Sequence, residues 1–123
     1  MASELRVNTL KDASGNNSVG MSYVAEGSAK AWVKYLTNSG TSTDDSFNQS
    51  SIVDDATGRT NFNWTNAFGS VNYTASGNNS DRKINNSAFA NTASQGRAIM
   101  YHTQDNVDTD TSGCSIVCHG DLA

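Results

Sequence analysis

The side chains best suited to chemistry in this sequence are few. It has two histidines, His102 and His119, two cysteines, Cys114 and Cys118, and an oxygen-rich run, Asp108-Thr109-Asp110-Thr111-Ser112-Gly113, just ahead of its last apolar stretch. Acid–base or nucleophilic catalysis needs a histidine or a paired carboxylate held beside a nucleophile. His102 shares strand parity with Ala98 and Met100, which is the placement of a histidine at the rim of a core. Cleavage of a polysaccharide would call for a carboxylate pair, and the only glutamates are Glu4 and Glu26, both near the N-terminus. No Gly-x-Ser-x-Gly elbow, phosphate loop or dinucleotide fingerprint occurs. The expectation is a protein that is not an enzyme, with no catalytic residues and no cofactor.

Asp108, Asp110 and Ser112 stand at the first, third and fifth positions of what resembles the opening of a calcium loop, with Asp105 as a further oxygen donor. The position that should carry a closing bidentate glutamate is His119, and no helices flank the run, so the metal candidate is weak and a turn before a strand is the plainer reading. Cys114 and Cys118 have the same strand parity and would sit about 13 Å apart on an extended strand, too far for a mutual disulfide. They read as reduced, buried, small apolar side chains. Asn-x-Ser/Thr sequons begin at Asn16, Asn48, Asn63, Asn72, Asn78 and Asn85, little above the roughly three or four that this much Asn, Ser and Thr gives by chance. Trp32 and Trp64 have the chemistry to stack on sugars, but Val33 and Tyr35 beside the first and Phe62 in phase with the second favour packing.

The elements that would position these groups follow from composition and period. Hydrophobic residues are 36% of the 123, whereas Asn, Ser, Thr and Gly together supply 54. That is a thin core for one domain of ordinary size, and an oligomer that pools apolar faces relieves it. A net charge of −4 with 16% charged residues gives no basis for gripping nucleic acid phosphates or an anionic membrane. The start, Met1-Ala2-Ser3-Glu4, lacks the basic-then-apolar order of a secretory signal, and no window has the apolar length to cross a bilayer.

The dominant period is two. Residues 29–36 place Ala29, Ala31, Val33 and Tyr35 on one face and Lys30, Trp32, Lys34 and Leu36 on the other, the pattern of a strand wedged between two packed surfaces. Residues 5–10, 60–65, 70–76, 97–103 and 114–119 read as further strands. Ser51-Ile52-Val53, the turn at residues 54–58 and the Phe62/Trp64 strand make a hairpin signal, with Gly58 supplying a positive φ. Residues 37–44 and 77–95 read as long loops. The absence of proline suits a chain that is mostly sheet. Residues 1–27 stand apart as an extended segment, carrying Leu5, Val7, Leu10, Val19, Met21 and Tyr23 around a turn at residues 12–17, too small to hold a core. A boundary near Gly27-Ser28 leaves residues 28–123 as an antiparallel, jelly-roll-like β-sandwich.

Several motifs carry a resemblance. Residues 5–17, Leu-Arg-Val-Asn-Thr-Leu-Lys-Asp-Ala-Ser-Gly-Asn-Asn, resemble the leader of tail-fibre and other virion proteins of marine and cyanobacterial phages. Gly27-Ser28-Ala29-Lys30-Ala31-Trp32-Val33, then residues 45–54, Thr57-Gly58 and Phe62-Asn63-Trp64, resemble the β-rich fibre-tip domain of such phages. The resemblance covers residues 4–76 and the closing 114–120, and leaves 77–112 unmatched. It implies a trimeric virion component for host attachment, docked on other virion proteins through Leu5, Val7, Leu10, Val19, Met21 and Tyr23. Trp32, Val33, Tyr35, Phe47, Ile52, Phe62 and Trp64 would then form the fold and trimer core. Within that class the shortness of the chain favours a capsid decoration, or head fibre, as the alternative to a tail-fibre tip. Outside it, the rival is a carbohydrate-binding module that takes a host surface glycan.

Overall fold

The computed structural model describes residues 2–123, so residue 1 of the expected N-terminal segment lies outside the described residues. The protein is all-β in its main body, as its period predicts. Eight strands make two four-stranded antiparallel sheets packed face to face: β3 (Ala31–Leu36), β4 (Ser42–Phe47), β5 (Gln49–Ala56), β6 (Arg59–Trp64), β7 (Thr74–Asn78), β8 (Ile84–Thr92), β9 (Gln95–His102) and β10 (Cys114–His119). One sheet runs β4-β3-β10-β7 and the other β5-β6-β9-β8. The first and last strands of the sandwich thus lie side by side at the centre of one sheet, with Val33 opposite Ile116. Eight strands in two antiparallel layers make a β-sandwich, and since β3–β4, β5–β6 and β8–β9 pair as hairpins within one sheet, the strand order is not that of a jelly roll.

The core follows from period two. Ala31, Val33 and Tyr35 on β3 and Cys114, Ile116 and Cys118 on β10 point inward from one sheet. Phe62 and Trp64 on β6, with Ala98 and Met100 on β9, meet them from the other. Every buried apolar side chain of the described residues lies between Ala31 and Cys118. Five rings run in continuous contact through this interior: Tyr35 edge-on to Phe62 at 4.8 Å, Phe62 to Trp64 at 6.3 Å, Trp64 to Phe68 at 6.3 Å, and Phe68 stacked on Tyr73 at 3.9 Å. The Trp64 indole N–H donates to the Tyr73 hydroxyl (3.2 Å), which donates in turn to the Gln95 carbonyl (2.7 Å), so both polar tips are satisfied.

One turn was predicted with its cause. The β5–β6 hairpin closes at Gly58, φ +68°, where L side chains are strained. Gly96 is a matter of space: a Cβ there would lie 2.5 Å from Trp64 Cζ2. The chain passes from one sheet to the other between β4 and β5 through Asn48 alone, at φ +60°. Its amide Nδ2 donates to the carbonyls of Lys30 and Asn66, and its Oδ1 accepts from Asn66 N–H.

Several expectations are corrected. Residues 77–95 are not a long loop: they hold the end of β7 and all of β8, whose inward residues Ile84, Asn86, Ala88 and Ala90 keep period two but are mostly small or polar. Residues 37–44 likewise contain the start of β4, an edge strand of polar residues. The strand expected at 70–76 begins only at Thr74, and Val71 is exposed. Trp32 and Phe47 are not part of the sandwich core: they are 37% and 54% exposed, because Trp32 takes the outward parity of β3 and Phe47 pairs with it in register. The N-terminal segment is not extended throughout. It forms a hairpin of β1 (Thr9–Lys11) with β2 (Ser18–Gly20), and the run through Met21, Tyr23 and Ala25 turns into a short helix, α1 (Met21–Gly27), closed by Ser28 N–H on the Val24 carbonyl.

Phe62→Ala should cost about 3–5 kcal/mol of unfolding free energy, because it opens the middle of the ring series. Gly96→Ala should cost about 1–3 kcal/mol through overpacking against the Trp64 ring. Urea denaturation with tryptophan fluorescence measures both, and either variant matching the parent would show that these contacts do not limit stability.

Candidate functional site

The residues expected to dock the chain are built on the β1–β2 hairpin and on α1. The hairpin holds its own turn: Asp12 Oδ1 accepts from Ser14 Oγ (3.0 Å) and from the backbone N–H of Asn16 (3.1 Å) and Asn17 (3.4 Å), while Oδ2 accepts from Asn17 Nδ2 (2.7 Å). The Asn17 and Ser14 side-chain hydrogen bonds lead the causes that lower the Asp12 carboxyl below the usual range. Leu10 and Val19 are register partners on this hairpin, 42% and 39% exposed. A shallow groove of about 320 Å³ lies along them, lined also by Lys11, Asp12, Asn17 and Ser18. Leu5 and Tyr23 are more open still, and Val7 and Met21 are half-buried. A two-stranded hairpin with an uncovered apolar pair is marginal by itself in water.

The acidic run before β10 is engaged within the fold. Asp108 pairs with Arg59 (Oδ2 to Nε, 2.7 Å), Asp110 Oδ1 accepts from Gly58 N–H (2.8 Å), and Asp105 Oδ1 accepts from Val107 N–H (3.1 Å). Ser112 contributes its carbonyl to the Ser80 hydroxyl (3.1 Å). The Asp108 and Asp110 contacts staple the segment between β9 and β10 onto the β5–β6 turn, and the Ser112 contact ties it to the β7–β8 connection. Among the described residues no group of three or more His, Cys, Asp or Glu converges in a way that could hold a metal ion.

His102 sits at the end of β9 and His119 at the end of β10, on different sheets. Cys114 and Cys118 are free thiols, both fully buried, with Cys114 Sγ 3.2 Å from Met100 Sδ. Burial pushes their thiols up, to about 11 for Cys114 and about 12 for Cys118. The sequon asparagines divide. Asn48, Asn63 and Asn85 spend their amide nitrogens on the Lys30 and Asn66 carbonyls, the Ser51 hydroxyl and the Tyr101 hydroxyl. Trp64, one of the two candidates for sugar stacking, is in the core, and Trp32 is outside it.

One feature escaped the sequence. Phe47, Trp32 and Val117 occupy a single row across the outer face of the β4-β3-β10-β7 sheet, since Trp32 pairs with Phe47 on one side and Val117 on the other. Phe47 stands beside a polar run, and nothing local says that it shares a face with Trp32. No known protein family, curated protein or solved structure matches the chain.

The thiols give two expected outcomes. A thiol reagent should label Cys114 and Cys118 slowly in the folded protein and at once after denaturation, and rapid native labelling of both would remove β10 from the core. In the unfolded chain the thiols ionise near 9.0, whereas the folded protein holds their protons up to about 11 and about 12. The unfolded state therefore binds fewer protons in that interval, so this contribution to stability is full below pH 9 and falls from there to pH 12. Denaturant midpoints should show that alkaline fall, shallower in Cys114→Ala/Cys118→Ala, and an unchanged slope would refute the assignment.

Proposed function

We propose that this chain is a non-enzymatic structural protein of a phage virion, a short fibre-type trimer for host attachment, in which residues 1–27 dock on the particle and residues 28–123 form the displayed domain. One observation carries the division of labour. Among the described residues, all buried apolar side chains lie between Ala31 and Cys118, while Leu5, Leu10, Val19 and Tyr23 are exposed on a segment none of whose described residues joins that core. A sandwich with its own interior does not need the segment to fold, and the segment gains cover for its apolar residues from another chain. Strand addition to either open edge of the β1–β2 hairpin is the simplest route. The leader and fibre-tip motifs give the reading its virion context.

Self-association of the displayed domain is supported by the Phe47–Trp32–Val117 row, which adds to a polar chain an apolar strip that water disfavours. The low charge, −4 over 123 residues, opposes the approach of copies only weakly.

A chain beginning at Ser28 should keep the circular dichroism and native mass of the parent yet fail to join particles. Unfolding of the shortened chain, or its incorporation at normal occupancy, would overturn the docking role. Sedimentation of the full chain should give three times the chain mass, with Trp32→Ser shifting it toward a single chain; a folded 13.0 kDa species at micromolar concentration would remove the trimer.

A further inference from the structure

At one end of the β4-β3-β10-β7 sheet the fold builds a polar cleft from three separate stretches of chain. His119, the last residue of β10, is the register partner of Thr74, the first of β7. Beyond His119 the chain continues antiparallel to residues 67–69: Gly69 N–H donates to the Asp121 carbonyl (2.8 Å), Ala123 N–H donates to the Ala67 carbonyl (2.9 Å), and Phe68 bridges to Leu122. The floor is rigid, because Phe68 and Tyr73 stack at 3.9 Å beneath it and Gly120 is pressed onto Tyr73, where a Cβ would come within 2.6 Å of the Tyr73 Cβ. Asn72, Thr74, His119 and Asp121 rise around this floor, and Glu26 at the end of α1 closes one side, giving a cleft of about 350 Å³. A second recess of about 340 Å³ shares Asn72 and Asp121 and extends toward Ser70 and Tyr73. Each is at the lower end of the volumes of small-molecule sites, roughly 300–1,000 Å³.

What distinguishes the cleft is that five polar side chains converge on one floor. On the β5-β6-β9-β8 sheet, by contrast, several polar side chains are bonded to one another. Asn63 Nδ2 donates to Ser51 Oγ, Gln95 Nε2 to Asn63 Oδ1, Asn91 Nδ2 to Gln95 Oε1, and Arg97 joins Asn61 to Asp55. Among the described residues, no hydrogen bond or ion pair engages the side chains of Glu26, Asn72, Thr74, His119 or Asp121, although all five line one cleft on a fixed floor. Their donors and acceptors face water and converge, so a ligand that enters the cleft meets five polar groups free to turn toward it.

The chemistry of the set selects the ligand. Two carboxylates repel phosphate, sulfate and carboxylated ligands, and His119 is the only group there that can take a positive charge. Carboxylates accept from paired hydroxyls, while Asn72, Thr74 and His119 both donate and accept, which is the complement of vicinal hydroxyl groups on a sugar ring. We infer that this cleft binds a neutral saccharide, one or two rings long, with Asp121 and Asn72 as its principal hydrogen-bonding residues. The inference is independent of any place in a virion, and it sets the sugar site at the edge of the sheet and away from Trp32.

The test is an amide NMR titration of the full chain with glucose, galactose, mannose, N-acetylglucosamine and their disaccharides. At least one should shift the amides of residues 72–74 and 119–121 saturably, and leave residues 31–33 in place. Asp121→Ala, with an otherwise superimposable spectrum, should weaken that binding by about tenfold or more, the loss of a hydrogen bond to a charged group. Asn72→Ala, which leaves the charge of the cleft unchanged, should weaken it as well, and glucuronic acid should bind more weakly than glucose. No saturable shift with any neutral sugar, shifts centred on Trp32, or equal binding of glucuronic acid would each overturn the inference. So would saturable shifts of the same amides with calcium chloride alone, which would make the cleft a cation site.

Discussion

The fold depends on one line of aromatic contact. Tyr35 belongs to one sheet, Phe62 and Trp64 to the other, and Phe68 and Tyr73 to the connection that carries the chain back. In a chain with so few large apolar side chains, these five rings are the bulkiest of the core, and they lie at the seam between the sheets. Their polar tips add direction: Trp64 to Tyr73 to the Gln95 backbone fixes where the connection must sit. Tyr35 reaches Asn86, whose amide nitrogen also meets the carbonyls of Asn78 and Ser115, so a buried polar strut ties the two sheets beside the rings. Burial of the Tyr35 phenol raises it above its ordinary value.

Sequence and structure agree where inward residues are bulky. β3, β6, β9 and β10 were visible because Val33, Tyr35, Phe62, Trp64, Met100 and Ile116 fall in phase and are flanked by turn residues. β8 was hidden because its inward face reads Ile, Asn, Ala, Ala, and alternation between small and polar residues looks like a loop. β4 was hidden for a different reason: as an edge strand it needs no apolar face and carries Asp44, Asp45 and three hydroxyl residues. The helix α1 is seven residues long, too short for its period to register against the apparent alternation of Met21, Tyr23 and Ala25. Trp32 shows the limit of residue type alone, since an aromatic in a strand does not say which face of the sheet is covered.

The candidate sites were less legible than the fold. Exposure of the N-terminal apolar residues followed from the smallness of that segment, but the row of Phe47, Trp32 and Val117 and the cleft around Asn72, His119 and Asp121 exist only through pairing of distant strands. The acidic run before β10 pointed outward to a ligand in sequence, and in the fold it points to Arg59 and the Gly58 turn. The same residue types serve either end, and the outcome depends on what the topology brings within reach.

The central position of β3 beside β10 bears on how the protein reaches its fold. Val33 and Ile116 are more than eighty residues apart, yet they are neighbours in the middle of a sheet. The β5–β6 and β8–β9 hairpins can form early because their closures are short, but the other sheet has no centre until the chain has closed a loop of about two-thirds of its length. High contact order of this kind places folding in the range of milliseconds to seconds. Until that closure β3 offers an open edge beside Trp32, and the last strand acts as the latch that removes it.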